Sequence, residues 1–260
     1  MNEDILYDQQ HIDFLEEIWG DGFLSPGGRD EVARVLSGVQ IEGKRILDIG
    51  CGTGACTALL ATEYGAAHVT GIDVEDPVCE TAMKRFDNKG LSDKVSVIKV
   101  QPGPFPFDTA SFDVVFSKDS IVHIPNKLGL AREACRVLRT GGQFAVSDWL
   151  ISHDGKPSAQ MADYIKAEGL DFAMASPVTY EAAIREAGFS NIELVNRNTW
   201  YAEVAVEELK WLMGTNRHGL SARHGRDFID KQIDIWSKLV KVLQSGEHCP
   251  HHIRAQKLNL

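Results

Sequence analysis

The sequence predicts an α/β protein: a doubly wound, mostly parallel seven-stranded sheet of Rossmann-like type, with an N-terminal helical lid and a helical insertion after the fifth strand. Three observations carry this expectation. Apolar strand-like runs and amphipathic helical runs alternate five times between residues 45 and 150, a rhythm that builds a parallel sheet covered by helices on both faces. The first strand-like run, "KRILDIG", empties into a glycine loop. From 151 to 190 the strand rhythm stops, and two helical stretches take its place.

In chain order, residues 8–20 space Ile12, Leu15, Ile18 and Trp19 along one helical face. Pro26, Gly27 and Gly28 then make a turn before a second helix that buries Val32, Val35 and Leu36. "KRILDIG" is the first strand, "ACTALLATEYG" its helix and "HVTGID" the second strand. "VCETAMKRFDNKG" is a helix closed by a capping glycine. "KVSVIKV", "SFDVVFS" and "GQFAVSDWL" are strands three to five. "KLGLAREACRVLRTGG" is the amphipathic helix between the last two, again stopped by glycine. The helices within 151–190 are expected to lie over the carboxyl edge of the sheet. "IELVNRNTW" reads as a strand, helices follow across 203–244, and "HHIRAQKL" closes the chain as a strand antiparallel to it. One integrated domain results: a lid over 1–40, a core over 41–150, a substrate cap over 151–190, and completing strands and helices over 191–260.

The 260 residues are 43% hydrophobic and 25% charged, ordinary for a globular chain able to bury a large core. A net charge of −10 argues against nucleic acid as a partner. No apolar run approaches the ~18 residues that span a bilayer, and the acidic start "MNEDILYDQQ" is not a signal peptide. Five cysteines without a CxxC pair read as reduced thiols, so a cytoplasmic location is expected.

Glycines at 50, 52 and 54 of "ILDIGCGTG" let the backbone approach a ligand. A generic strand-to-helix turn would explain them as well. Two carboxylates raise the functional reading. Asp48 sits inside the strand, where an unpaired charge is costly unless it serves a site. Asp73 closes the second strand, placed to accept both hydroxyls of a ribose. "GCGTGA" lacks the third glycine of a dinucleotide-binding loop.

With "LDIGCGTG", "GID", "FD" and "LRTGG" in order, the chain resembles the class I S-adenosylmethionine-dependent methyltransferases across residues 45–150. The resemblance implies S-adenosylmethionine as cofactor, S-adenosylhomocysteine as product and no metal. Gly50 and Gly52 would pass under the methionine part, and Asp73 would hold the ribose. Gln101 stands where an acidic residue often meets the adenine amino group, followed by Pro102, which has no N–H.

"YDQQHIDFLEEIWGDGFLSPGG" followed by "FSKDSIVHI" further resembles the phosphoethanolamine N-methyltransferases. That likeness implies a small amine substrate, with Tyr7 and His123 as catalytic pair. Asp119 would face the amine, and Ser25 and Ser117 the cofactor. Lys118 would join the substrate residues. Where that family grips phosphate, this chain has Trp149, Glu168 and Leu170, while Tyr164 is kept. A carboxylate in place of a guanidinium repels a phosphate, so the expected substrate is a small amine other than phosphoethanolamine, with Trp149 and Tyr164 lining the rebuilt end. Methyl transfer to sulfur, oxygen or carbon stays open, as does a non-catalytic module that binds the same cofactor.

Other features carry bland readings. "EHCPHH" has the wrong spacing for a tetrahedral zinc site and reads as a turn. "NRHGLSARHGR" reads as a solvated linker, and Trp200 and Tyr201 as core or dimer-edge residues, which leaves a homodimer open.

Overall fold

The computed structural model describes residues 7–258, so the first six residues of the expected 1–40 segment lie outside it. Seven strands form one sheet: β1 (Arg45–Ile49), β2 (His68–Asp73), β3 (Val95–Lys99), β4 (Phe112–Lys118), β5 (Leu138–Asp148), β6 (Phe189–Asn196) and β7 (His251–Lys257). Their order is β3-β2-β1-β4-β5-β7-β6. The first five strands run parallel, and β7 is antiparallel to both β5 and β6. From β1 the chain turns outward to β2 and β3, then returns on the other side at β4. The carboxyl ends of β1 and β4 therefore border the topological switch point, where open α/β sheets leave a crevice.

Ten α-helices surround the sheet among the described residues: α1 (Gln9–Trp19), α2 (Gly28–Val35), α3 (Ala55–Thr62), α4 (Asp76–Asn88), α5 (Lys127–Val137), α6 (Ala159–Glu168), α7 (Pro177–Glu186), α8 (Asn198–Met213), α9 (Asn216–His224) and α10 (Arg226–Gln244). One face of the sheet packs Leu47, Val115 and Phe144 against Leu130, Ala134, Tyr180 and Ile184 of α5 and α7. The other packs Ile46, Val114 and Phe116 against Val32, Leu60 and Phe86 of α2, α3 and α4. A third core joins Phe14 of α1, Met161 and Tyr164 of α6, and Leu212, Leu220, Ile229 and Trp236 of α8, α9 and α10. Segments far apart in the chain thus share one helical layer. Glu31 of α2, fully buried, ties α2 to the start of α8 and to β7, accepting from Arg197 Nε at 2.9 Å and paired with His252 Nε2 at 2.7 Å. Those partners outweigh burial and pull its carboxyl down to about 2.

Three expectations are corrected. Glycine does not stop α5: Leu138 caps it in extended geometry and already begins β5, because its fully buried side chain anchors opposite Phe112. β6 ends at Asn196, whose side chain accepts from Asn198 N at 2.8 Å and turns the chain into α8, so the strand does not reach Trp200. Of the two helices in 151–190, α6 joins the helical layer, whereas α7 lies on the sheet face against α5. The "EHCPHH" turn is pulled apart by separate partners: His248 Nδ1 meets Leu150 O, His251 Nδ1 meets Cys249 O, and His252 meets Glu31. No described helix is long and apolar enough to cross a membrane.

Candidate active site

A cavity of about 600 Å³ opens at the switch point. Its sheet side is built by the loop after β1. Gly50 and Gly52 have φ of +68° and +52°, a region that glycine occupies without steric cost. The N–H groups of Gly50 and Cys51 donate to Ile72 O at 2.8 and 3.1 Å, which ties the loop to β2. A Cβ at Gly50 would fall 1.6 Å from Ser120 Oγ, so the bare backbone is a steric requirement of the cradle. Asp73 accepts from Gly52 N at 2.9 Å, Val74 N at 2.8 Å and Glu75 N at 3.2 Å. Burial pushes its carboxyl up and these three N–H groups oppose the rise. A carboxylate offers about four lone-pair sites, so Asp73 shapes the loop and keeps acceptor capacity toward the cavity it lines. Gln101 and Ser25 line the same cavity.

Asp48 lines the same cavity and is not left unpaired. It is 1% exposed, accepts from Thr57 Oγ1 at 2.6 Å, and burial pushes it up to about 7. The native chain therefore favours protonated Asp48 between the unfolded value near 4 and about 7. Its contribution to stability is present below that window and lost as the pH rises through it. Asp148, buried and also pushed up to about 7, acts in the same direction. At ~1.4 kcal/mol per tenfold change in proton affinity, each contributes up to ~4 kcal/mol. We expect the ligand-free protein to melt at a lower temperature at pH 8 than at pH 5.5. Asp48→Asn, which keeps an acceptor for Thr57, should flatten that slope in calorimetry; an unchanged slope would mean that Asp48 is ionised in the native chain.

The end of β4 and the loop after it build another wall and correct one expectation. Ser117 does not line the cavity: it is fully buried in β4, and its hydroxyl donates to Ile49 O at 2.7 Å, joining β4 to β1. Lys118 borders the cavity, but its ammonium donates to Ser25 Oγ at 2.6 Å, Pro26 O at 2.8 Å and Asp119 Oδ2 at 2.8 Å. With three donors and three partners, it ties the Ser25–Pro26 turn to the sheet and holds no free charge for a substrate. Asp119, at φ +55°, has a fully buried side chain that accepts from Lys118, from Ser147 Oγ and from the Tyr201 hydroxyl, the last at 3.0 Å. Asp119 lines the cavity with its carboxylate held by these three donors. Tyr201 was expected to be a core or dimer-edge residue. It is buried and is one of Asp119's partners, and no local signal could have revealed a link across 82 positions.

His123 ends a short 3₁₀ turn (Ile121–His123) and lines the cavity. Its Nδ1 is buried without a hydrogen-bond partner, and burial holds the imidazole below its usual pKa, hence neutral. Tyr7 lines the cavity from the N-terminal side and stacks on His11 at 5.6 Å between ring centroids. Burial first, then the charges of Glu168, Asp73 and Glu75, push its hydroxyl up, so it stays protonated.

Behind Tyr7 lies a recess of about 50 Å³ lined by Tyr7, Trp149, Glu168, Leu170, Tyr201 and His248, among others. Tyr164, fully buried, backs it by donating to Glu168 Oε1 at 2.8 Å. Burial pushes Glu168 up to about 7. Glu208, unforeseen from sequence, also lines the recess and accepts from the indole N–H groups of Trp19 and Trp236 at 2.6 and 2.9 Å. Among the described residues, no group of three His, Cys, Asp or Glu side chains could hold a metal ion.

A family model described as a methyltransferase domain matches residues 46–142. The chain is 28% identical over 246 residues to a phosphoethanolamine N-methyltransferase of Triticum aestivum, covering 94% of this chain and 47% of that protein. It is 32% identical over 189 residues to a 27-O-demethylrifamycin SV methyltransferase of Amycolatopsis mediterranei, covering 68% of this chain and 69% of that one. Phosphoethanolamine N-methyltransferase 2 of Haemonchus contortus, solved with phosphomonomethylethanolamine and S-adenosylhomocysteine, superposes with a TM-score of 0.90 at 25% identity, covering 99% of this chain and 60% of that one. The chain spans about half the length of the first of these curated relatives. A bare glycine cradle hydrogen-bonded to Asp73 on the wall of a cavity of this size fits the cofactor that these likenesses imply. The chain belongs to the class I S-adenosylmethionine-dependent methyltransferases, and S-adenosylmethionine is its cofactor.

Proposed function

We propose that this enzyme methylates the nitrogen of a small amine, with Tyr7 and His123 as its catalytic pair. The observation that carries the reading is His123: a neutral imidazole with an unpartnered buried Nδ1, in the same cavity as the glycine cradle. Bound S-adenosylmethionine supplies the electrophilic methyl group. An ammonium cannot attack until it loses a proton, so a neutral base within reach of the nitrogen, directly or through one water, is what the chemistry needs. His123 Nδ1 accepts that proton, and the Tyr7 hydroxyl oxygen accepts a remaining N–H, which leaves the nitrogen's single lone pair free to attack the methyl carbon. Gly50, Gly52, Asp73, Gln101 and Ser25 hold the cofactor. The helical layer with α1 as lid excludes water, which aligns the reactants and keeps competing nucleophiles away. Asp119 and Lys118 serve indirectly, by fixing the wall from which His123 projects.

The curated relatives named as phosphoethanolamine N-methyltransferases support the amine reading. A relative named for O-demethylrifamycin supports oxygen as the second candidate, because a neutral imidazole can also deprotonate a hydroxyl. Incubation with methyl-labelled S-adenosylmethionine and a panel of small amines, thiols and phenols tests this. Label on an amine nitrogen is the expected result; label only on oxygen or sulfur would overturn it.

A further inference from the structure

We infer that the substrate carries a hydroxyl at the end remote from its nitrogen, so that the enzyme takes an amino alcohol. The inference rests on the amine reading above and adds what the far end of the substrate must be.

Among the described residues, two buried side-chain polar atoms lack a hydrogen-bond partner: His123 Nδ1 and Trp149 Nε1. Both rings pack on the same Phe172 ring at 5.4 Å between centroids, His123 lining the larger cavity and Trp149 the recess behind Tyr7. An unpaired buried polar group costs about 1–3 kcal/mol, and a ligand that reaches both atoms removes that cost. His123 is claimed by the nitrogen end. Trp149 then marks the other end, and an indole N–H only donates. Its partner must own a lone pair, which excludes an ammonium group.

The lining of the recess offers an anion no cationic donor. Among the described residues Glu168 and Glu208 line the recess and no lysine or arginine does, while Lys231 and Lys118 act on those carboxyls from outside its lining. His248 is pushed down to about 4 by burial and adds no positive charge. Lys118, beside the larger cavity, has spent its donors on Ser25, Pro26 and Asp119. A phosphate or carboxylate end would meet two acid groups that burial already pushes toward their neutral form, where such an end needs cationic donors. A hydroxyl meets both demands: it accepts from Trp149 Nε1 and donates to Glu168, whose carboxyl keeps lone pairs beyond its bond from Tyr164. The recess of about 50 Å³ exceeds the ~10–15 Å³ that one water needs, and suits a hydroxymethyl end.

The test is a calorimetric titration of the S-adenosylhomocysteine-loaded enzyme with ethanolamine, phosphoethanolamine, glycine, 1,2-diaminoethane and propylamine. Ethanolamine should bind about tenfold more tightly than the other four, the value of one buried hydrogen bond made rather than missed. Trp149→Phe, which keeps a ring but loses the donor, should erase most of that preference while propylamine binding stays the same. Tighter binding of phosphoethanolamine or glycine, or a Trp149→Phe enzyme that still prefers ethanolamine, would overturn the inference. Labelled methyl transfer on the same panel separates the two levels. Methylation of nitrogen with no preference for the amino alcohol sinks the inference alone, whereas label on oxygen or sulfur only sinks the amine reading with it.

Discussion

His123→Ala should lower single-turnover methyl transfer by ~10²–10⁴-fold, the range of a lost general base, while the affinity for S-adenosylmethionine stays within about threefold. The separation follows from position. His123 stands on the wall built after β4, and the glycine cradle stands on the loop after β1, so removing the imidazole leaves the cradle's ties to Ile72 and Asp73 intact. Tyr7→Phe should also slow the step while leaving cofactor binding unchanged, since it removes only a hydroxyl that burial keeps protonated. The pH profile carries the sign. A base works when neutral, and burial holds His123 below the ordinary imidazole value. Activity should therefore persist to a lower pH than a free histidine would allow, and the acid limb should vanish in His123→Ala. Loss of cofactor binding in either variant would show that these residues are structural.

Gly50→Ala should abolish cofactor binding at concentrations that saturate the parent enzyme, an effect of 100-fold or more for a loss of roughly 3 kcal/mol. Two costs combine there. The left-handed φ of +68° penalises any Cβ by about 1–2 kcal/mol. The new carbon would also lie 1.6 Å from Ser120 Oγ and 2.4 Å from Ser120 Cβ. Gly90 isolates the first cost, because its φ is +64° and nothing stands within 4 Å of its missing Cβ. Gly90→Ala should therefore lower the melting temperature modestly and leave cofactor affinity unchanged. Adding Ser120→Gly to Gly50→Ala should restore part of the binding. If Gly50→Ala behaved like Gly90→Ala, the cradle would be looser than its contacts imply.

Legibility followed the range of the interactions. The strands, their helices and the glycine loop were readable because hydrophobic period and glycine conformation are local properties of the chain. The residue type at 168 was equally readable, but its charge was not, because burial in the fold pushes Glu168 up to about 7. Tyr7, Gln101, Asp73 and His123 line one cavity, and for Tyr7, Gln101 and His123 it was the family resemblance that singled them out.

What the sequence could not state was how each polar group is satisfied. Lys118 looked like a free cation, yet its partners lie 93 and 92 residues upstream in the Ser25–Pro26 turn, apart from neighbouring Asp119. Asp119 looked ready for an amine, yet Ser147 and Tyr201 reach it from 28 and 82 residues away. Asp48 looked unpaired until α3 brought Thr57 to it. The chain by itself determined the class of fold, the cofactor cradle and the residue types around the substrate. Only the tertiary structure decided which of those residues remain free to act. Backbone periodicity is set by neighbours in sequence, whereas a buried charge takes whatever partner the fold delivers to it.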